Sequence, residues 1–233
     1  MLTVCWSPKG GSGTSVVAVA LALQVAAAGD DCLLVDLAGD HPAILGVPPA
    51  ERQGLTDWLS APDDVPVDAL RSLEVPVVDR LHALPRGGSA REGCRAERLE
   101  LAAALFAGSG TSVVVDAGSG VDAGRWWPAS SITVTVVRSC YLALRRLTTG
   151  LPGIAGSTSA GLVAGDRIVL VEEAGRALTR RDVVAAIGDV AVALPWDPAV
   201  ARAVDAGLLA HRMPRSLRRL RALIPATTPG AVS

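Results

Sequence analysis

Residues 2–29, LTVCWSPKGGSGTSVVAVALALQVAAAG, constrain the fold more than any other stretch of the chain. A short apolar run, Leu2 to Trp6, breaks at Pro8 into a loop that holds Gly10, Gly11 and Gly13. A helical stretch from Ser15 to Ala28 follows, apolar nearly all round and closed by Gly29. The next segment, DDCLLVDLAGD, contains a second strand from Cys32 to Val35, ending at Asp36. Strand, glycine loop, helix and strand make one βαβ unit, which requires parallel strands.

The same alternation continues along the chain. GLTDWLS reads as a short helix from near Thr56, and DRLHALPRGG as a short strand running into a glycine turn. Ser89 to Ala107 is helical in pattern, with Leu99, Leu101, Ala104 and Leu105 expected on its buried face. TSVVVDAGSG is an apolar strand expected to end on Asp116, and SITVTVVR is another, followed by a helix from Tyr141 to Thr149. DRIVLVEE, TRRDVVAAIG, VAVAL and PAVARAVDAGLLA read as strand, helix, strand and helix. No composition break marks a second domain. The expected architecture is α/β: one doubly wound, mainly parallel sheet with helices on both faces, in three layers, over residues 1–224 with a flexible tail at 225–233.

Composition excludes several classes. The chain is 50% hydrophobic but only 3% aromatic, so alanine, valine and leucine must build the core. A net charge of −1 argues against binding polyanions by bulk charge. Cys5, Cys32, Cys94 and Cys140 show no C-x-x-C spacing, which argues against a zinc or redox pair. The N-terminus has no basic start before its apolar run, unlike a signal peptide, and the apolar helix of about 14 residues is shorter than the roughly 20 that span a bilayer. A cytoplasmic location is therefore expected.

In sheets of this kind ligands bind outside the carboxyl ends of the strands. The loop at Lys9, the segment Asp36 to Asp40, Asp116 and the segment after Leu194 all lie there. Successive backbone N–H groups in a glycine loop can wrap an anion, and the helix that follows adds its positive end. Ser15, at the start of that helix, is placed to offer its hydroxyl to Mg²⁺. The usual phosphate-loop pattern, G-x-x-x-x-G-K-[ST], is broken twice: Pro8 replaces the first glycine and Thr14 replaces the lysine. Lys9 is the sole lysine among 22 basic residues. A glycine-rich turn that binds nothing is the bland alternative. Against it, Asp36 and Asp116 both end strands where a nucleotide–metal site needs them.

KGGSGTS resembles the deviant Walker A motif of the ParA/MinD group of P-loop ATPases, K-G-G-x-G-K-[ST]. CLLVDLAGDHPAILG is similar to the group's second motif, SVVVDAG to its Walker B strand, and ALPWDPAVARAVDAG to the MinD-type segment after the last strand. The resemblance implies ATP (or ADP) and Mg²⁺ as ligands and an ATP-dependent homodimer with a protein cargo or activator. It makes Lys9 the signature lysine that reaches the partner's ATP. Gly10, Gly11, Ser12, Gly13, Thr14 and Ser15 become the phosphate cradle, Ser15 and Asp116 the metal-binding pair, and Pro195, Trp196 and Asp197 the border of the base. Asp36 would join the metal and water network. Asp40 would position the attacking water, or simply start the helix at HPAILG. Trp196 is equally suited to packing.

The departures matter as much. Thr14 carries no charge where the group has a lysine that follows the leaving phosphoryl, so hydrolysis should be slow or absent unless Lys9, Arg138 or a partner residue substitutes. Glu172 and Glu173 stand where the group commonly has an adenine-reading asparagine. The first expectation is therefore a nucleotide-dependent dimerising switch that positions a cellular cargo, with weak turnover. The second is a non-hydrolysing regulator or scaffold of the same fold, with a decayed nucleotide pocket and a partner-binding role. A small-molecule enzyme ranks last, since no substrate-binding insertion is visible. PRSLRRLRALIP places Leu217, Leu220 and Leu223 or Ile224 on one stripe beside Arg218, Arg219 and Arg221. That helix could meet a membrane surface or DNA, as in the family, or pack on the sheet with a solvated arginine face. Trp126 and Trp127 suit an interface or the core, and His41, His82 and His211 show no ligand spacing.

Overall fold

A computed structural model describes residues 1–47, 53–62, 64–90, 93–119, 130–149 and 166–225. Trp126, Trp127 and the tail from 226 onward lie outside the described residues. Eight strands form one sheet: β1 (Leu2–Ser7), β2 (Cys32–Asp36), β3 (Val75–Val78), β4 (Leu81–Leu84), β5 (Ser112–Ser119), β6 (Ile132–Arg138), β7 (Arg167–Glu172) and β8 (Val190–Pro195). Their order across the sheet is β3-β4-β2-β5-β1-β6-β7-β8, parallel except for the β3–β4 pair. β1 is central. The chain goes to one side of it for β2 to β5 and to the other for β6 to β8, so the topology reverses at the β1 loop, where such sheets bind ligands.

The central strands are buried on both faces, and their side chains divide by a period of two. Leu2, Val4 and Trp6 face one core with Leu33, Val35, Val113 and Val115; Cys5, Leu34 and Val114 face the other. The first core is covered by α3 (Leu55–Ser60), α4 (Ala96–Gly108), α5 (Tyr141–Thr149) and α6 (Arg180–Ile187). The second is covered by α1 (Thr14–Ala27), α2 (His41–Leu45), α7 (Pro198–Asp205) and a 3-10 helix, Arg215–Leu223. The three-layer, doubly wound arrangement expected from the sequence is the one found.

Three local readings change. β5 does not stop on Asp116 but continues to Ser119. The buried face of α4 is Arg98, Leu99, Ala102, Ala103 and Phe106, whereas Leu101 is 42% exposed and Ala104 is exposed. Arg98 lies on the buried face despite its charge. Its guanidinium stacks 3.9 Å from the Trp58 ring and donates to the carbonyls of Trp58, Pro62 and Val65, which turns the helix. The C-terminal segment is a 3-10 helix, whose three residues per turn align Leu217, Leu220 and Leu223. All three are buried, and Gln24 Nε2 donates to the Leu217 carbonyl while Arg219 and Arg221 reach the carbonyls of Ala193 and Gln24. The leucine stripe is therefore core and not a lipid-facing surface.

Gly46 and Gly207 bring α2 and α7 together by backbone contact. Both have φ in the left-handed region, and a Cβ on Gly46 would lie 2.2 Å from the Gly207 carbonyl oxygen. Gly46→Ala is expected to destabilise the fold by about 3 kcal/mol, read as a lower urea midpoint at unchanged slope. An unchanged midpoint would show that the two turns do not need this approach.

Candidate functional site

The β1–α1 loop has the geometry of an anion cradle. Gly11 (φ 75) and Gly13 (φ 90) are left-handed, and Gly13 takes the N-cap position of α1, which has no side-chain cap and no acidic residue in its first turn. The positive end of α1 is thus left open toward the loop. Ser7 Oγ and Ser12 Oγ both donate to the Lys9 carbonyl, at 3.0 and 2.7 Å, and Arg146 Nη1 from α5 donates to the Pro8 carbonyl. These bonds fix the loop from beneath.

A cavity of about 710 Å³ opens above it, within the size range of small-molecule sites. Gly10, Gly11, Ser12, Gly13, Thr14 and Ser15 line one end. Pro195, Trp196 and Asp197 line it after β8, so the fold gathers on one wall two groups expected from the sequence to bind nucleotide. Trp196 is 52% exposed, with the Arg138 guanidinium 5.3 Å from its ring, so it is a wall of the opening and not a core residue. Asp197 caps α7 through Ala199 N–H and accepts from Ser216 Oγ; the Ser216 bond chiefly holds its carboxyl below the usual range.

Lys9 does not line its own cavity: its Nζ donates to the Gly10 carbonyl at 3.1 Å. Asp40 does line it, and Ser15 Oγ donates to Asp40 Oδ2 at 3.3 Å. Asp40 occupies the N-cap position of α2, yet its side chain makes no cap hydrogen bond, so it is free for the cavity. Asp36, the last residue of β2, and Asp116, within β5, are register partners, and both are fully buried and absent from the cavity wall. Asp36 accepts from the backbone N–H groups of Gly39 and His41, and Asp116 Oδ1 accepts from that of Gly118.

The residue missed in the sequence is His41. It is 1% exposed, its Nε2 lies 3.1 Å from Asp116 Oδ2, and its Nδ1, without a hydrogen-bond partner, lies 3.9 Å from Asp36 Oδ2. The three residues offer donor atoms within 4.8 Å of one another, so they form a cluster that spacing could not reveal. Burial alone would lower the His41 pKa, but the Asp116 hydrogen bond and the charges of Asp36, Asp116 and Asp40 outweigh it, and the net direction is up. Burial also raises the Asp36 pKa, against the opposing pull of His41. A magnesium ion takes oxygen donors, commonly one or two carboxylates, with phosphate and water. Ser15 and Asp40 supply that donor type on the cavity wall, whereas Asp116 has one oxygen on Gly118 and the other on His41.

The pH dependence follows in sign. Native His41 holds its proton above the ordinary histidine range, so its contribution to stability is complete below about pH 6.5 and is lost as pH rises through the higher native value. Asp36, also raised, contributes with the same sign in its own more acidic range. Urea unfolding at about pH 6 and about pH 8.5 should show a fall that His41→Gln removes. Equal slopes in both proteins would mean that His41 does not keep its proton.

No protein-family model matches the chain, and no curated protein matches it in sequence. Solved structures do. A ParA family ATPase from Chlorobium tepidum TLS superposes with a TM-score of 0.77 at 19% identity, over 95% of this chain and 98% of that one. The septum site-determining protein MinD from Pyrococcus horikoshii OT3, complexed with Mg-ADP, gives 0.70 at 18%, over 95% and 93%. The MinC:MinD cell division protein complex from Aquifex aeolicus gives 0.73 at 18%, over 98% and 99%. The chain therefore has the α/β fold of the ParA and MinD P-loop ATPases, along nearly its whole length.

Proposed function

We propose that the chain is a ParA/MinD-like nucleotide-dependent switch that binds ATP·Mg²⁺, dimerises in the bound state and positions a cellular cargo from the cytoplasm. The carrying observation is the single cavity wall that joins the glycine loop and the open end of α1 to Pro195, Trp196 and Asp197. Phosphates would lie on the loop N–H groups and the base along Trp196. Ser15 and Asp40 would hold the ion. Held there, Mg²⁺ would offset the negative charge of the phosphates. Asp40, beside the phosphate loop through Ser15, is also a carboxylate of the cavity wall that would orient a water. Asp36 and Asp116, held by His41, would support the loop from behind.

A slow or silent hydrolytic step fits Thr14 and the engagement of Asp116 by His41. Those two features equally favour the second reading, a non-hydrolysing regulator or scaffold of this fold. The exposed arginines Arg212, Arg215, Arg218, Arg219 and Arg221 suit an anionic surface, DNA or lipid headgroups, met by charge alone, because the leucines beneath them are buried. No helix among the described residues is long and apolar enough to cross a membrane.

Titration with ATP and with ADP, followed by calorimetry and light scattering, tests the proposal. Mg²⁺-dependent ATP affinity and a doubled mass with ATP but not ADP are expected. No ATP affinity would remove the switch and leave the scaffold reading; affinity without a change of mass would keep nucleotide binding and remove the dimerising switch.

A further inference from the structure

We propose that Arg138 is the phosphate-recognising cation of this cavity, supplying within one protomer the charge that Thr14 lacks. The assignment rests on the nucleotide reading above and deepens it. Among the described residues that line the cavity, Arg138, at the end of β6, is the one cation; the others with charge are Asp40, Asp197 and Asp205. Lys9 is not on that wall. A polyphosphate entering it would meet three carboxylates, the end of α1 and one guanidinium.

Arg138 is held where that guanidinium is useful. Its Nη1 donates to the Gly11 carbonyl at 3.1 Å, which ties it to the phosphate loop itself. Its Nη2 donates to Glu173, and its guanidinium lies beside the Trp196 ring. It thus sits between the loop and the tryptophan at the far side of the opening. Its bonds to Gly11 and Glu173 use one N–H on each terminal nitrogen, so each keeps a second N–H for a ligand, while the buried Nε finds no partner among the described residues. A guanidinium has five N–H donors in a rigid fork matched to phosphate oxygens, which suits a fixed recognition contact.

Glu173 gives the arrangement its reversibility. The same carboxylate oxygen accepts from Arg138 and from Arg176, with Arg176 Nε at 2.7 Å. Both arginines hold the Glu173 carboxyl below the usual range, Arg176 more than Arg138, so it stays ionised and neutralises Arg138 while the cavity is without nucleotide. When phosphate draws Arg138 away, Glu173 keeps Arg176 as its partner. Glu173, which stands where a base-reading residue was expected, thereby gains a role at the phosphates by positioning the arginine; Glu172 contributes only its backbone carbonyl, which accepts from the Trp196 backbone N–H at 2.7 Å.

Calorimetric titration with ATP and AMP of the wild-type chain, Arg138→Ala, Glu173→Gln and the double variant Thr14→Lys/Arg138→Ala tests this. Circular dichroism melting checks that each is folded. Arg138→Ala should weaken ATP binding by about tenfold or more and AMP binding by less. Thr14→Lys should recover most of the loss in the double variant, since it restores a cation from the other side of the cavity. Glu173→Gln should tighten ATP binding by releasing the arginine. Unimpaired ATP binding by folded Arg138→Ala, equal losses for ATP and AMP, or no rescue by Thr14→Lys would overturn the assignment while leaving nucleotide binding intact. A wild-type chain that binds no ATP would overturn the nucleotide reading, and this assignment with it.

Discussion

Thr14→Lys is expected to raise ATP hydrolysis by about 10²-fold or more, measured as phosphate release at saturating ATP and Mg²⁺. The phosphoryl transition state spreads negative charge over the departing group, and a charge that moves with it stabilises it more than the ground state. Thr14 is buried at the head of α1 and lines the cavity, so a lysine there would extend directly over the phosphates. Arg138 cannot take over that task in full. It is tied to the Gly11 carbonyl and to Glu173, and its planar fork recognises a fixed phosphate better than it follows a moving one. A variant that binds ATP as tightly as the parent but turns over no faster would place the defect elsewhere, with Asp116 and its bond to His41 as the next site to alter.

Lys9→Ala should abolish the ATP-dependent dimer, leaving light scattering at the monomer mass, while the ATP affinity of the protomer changes by less than about threefold. The separation of the two effects comes from geometry. Lys9 makes no part of its own cavity wall and folds back on the Gly10 carbonyl, at the outer edge of a loop whose Gly10 and Gly11 are exposed. A charge in that place serves a second copy better than its own nucleotide. Lys9→Arg should fail as well, because a crowded site between two phosphate loops has little room for a branched guanidinium. Dimerisation of Lys9→Ala to the parent's extent would show that the lysine is an ordinary surface charge.

The sequence carried the architecture because its signals are local. Apolar runs bounded by glycine and proline marked strands and helices along the chain, and the order of elements allowed few topologies. It also located the glycine loop, Ser15, Asp40 and the Pro195–Asp197 segment, since residues just after strands gather at one edge of a parallel sheet. What it misjudged depended on neighbours distant in sequence. The face of α4 turned on a cation stacked against Trp58. For the C-terminal leucines the sequence left surface and core both open, and packing beside α1 and β8 decided for core.

His41 shows the limit most clearly. By spacing it is a lone histidine five residues after Asp36, and only the parallel pairing of β2 with β5 sets Asp116 beside Asp36 and so beside its ring. Likewise Arg138 ends β6 and Glu173 directly follows its neighbour β7, and no short motif encodes the register of these strands. The glycine loop and its single lysine were determined by the sequence alone, because backbone geometry and charge are properties of the residues themselves. Which side chains supply charge to that loop, Arg138 within the cavity and Lys9 outside it, was decided by the tertiary structure, because electrostatic contact depends on distance through space and not along the chain.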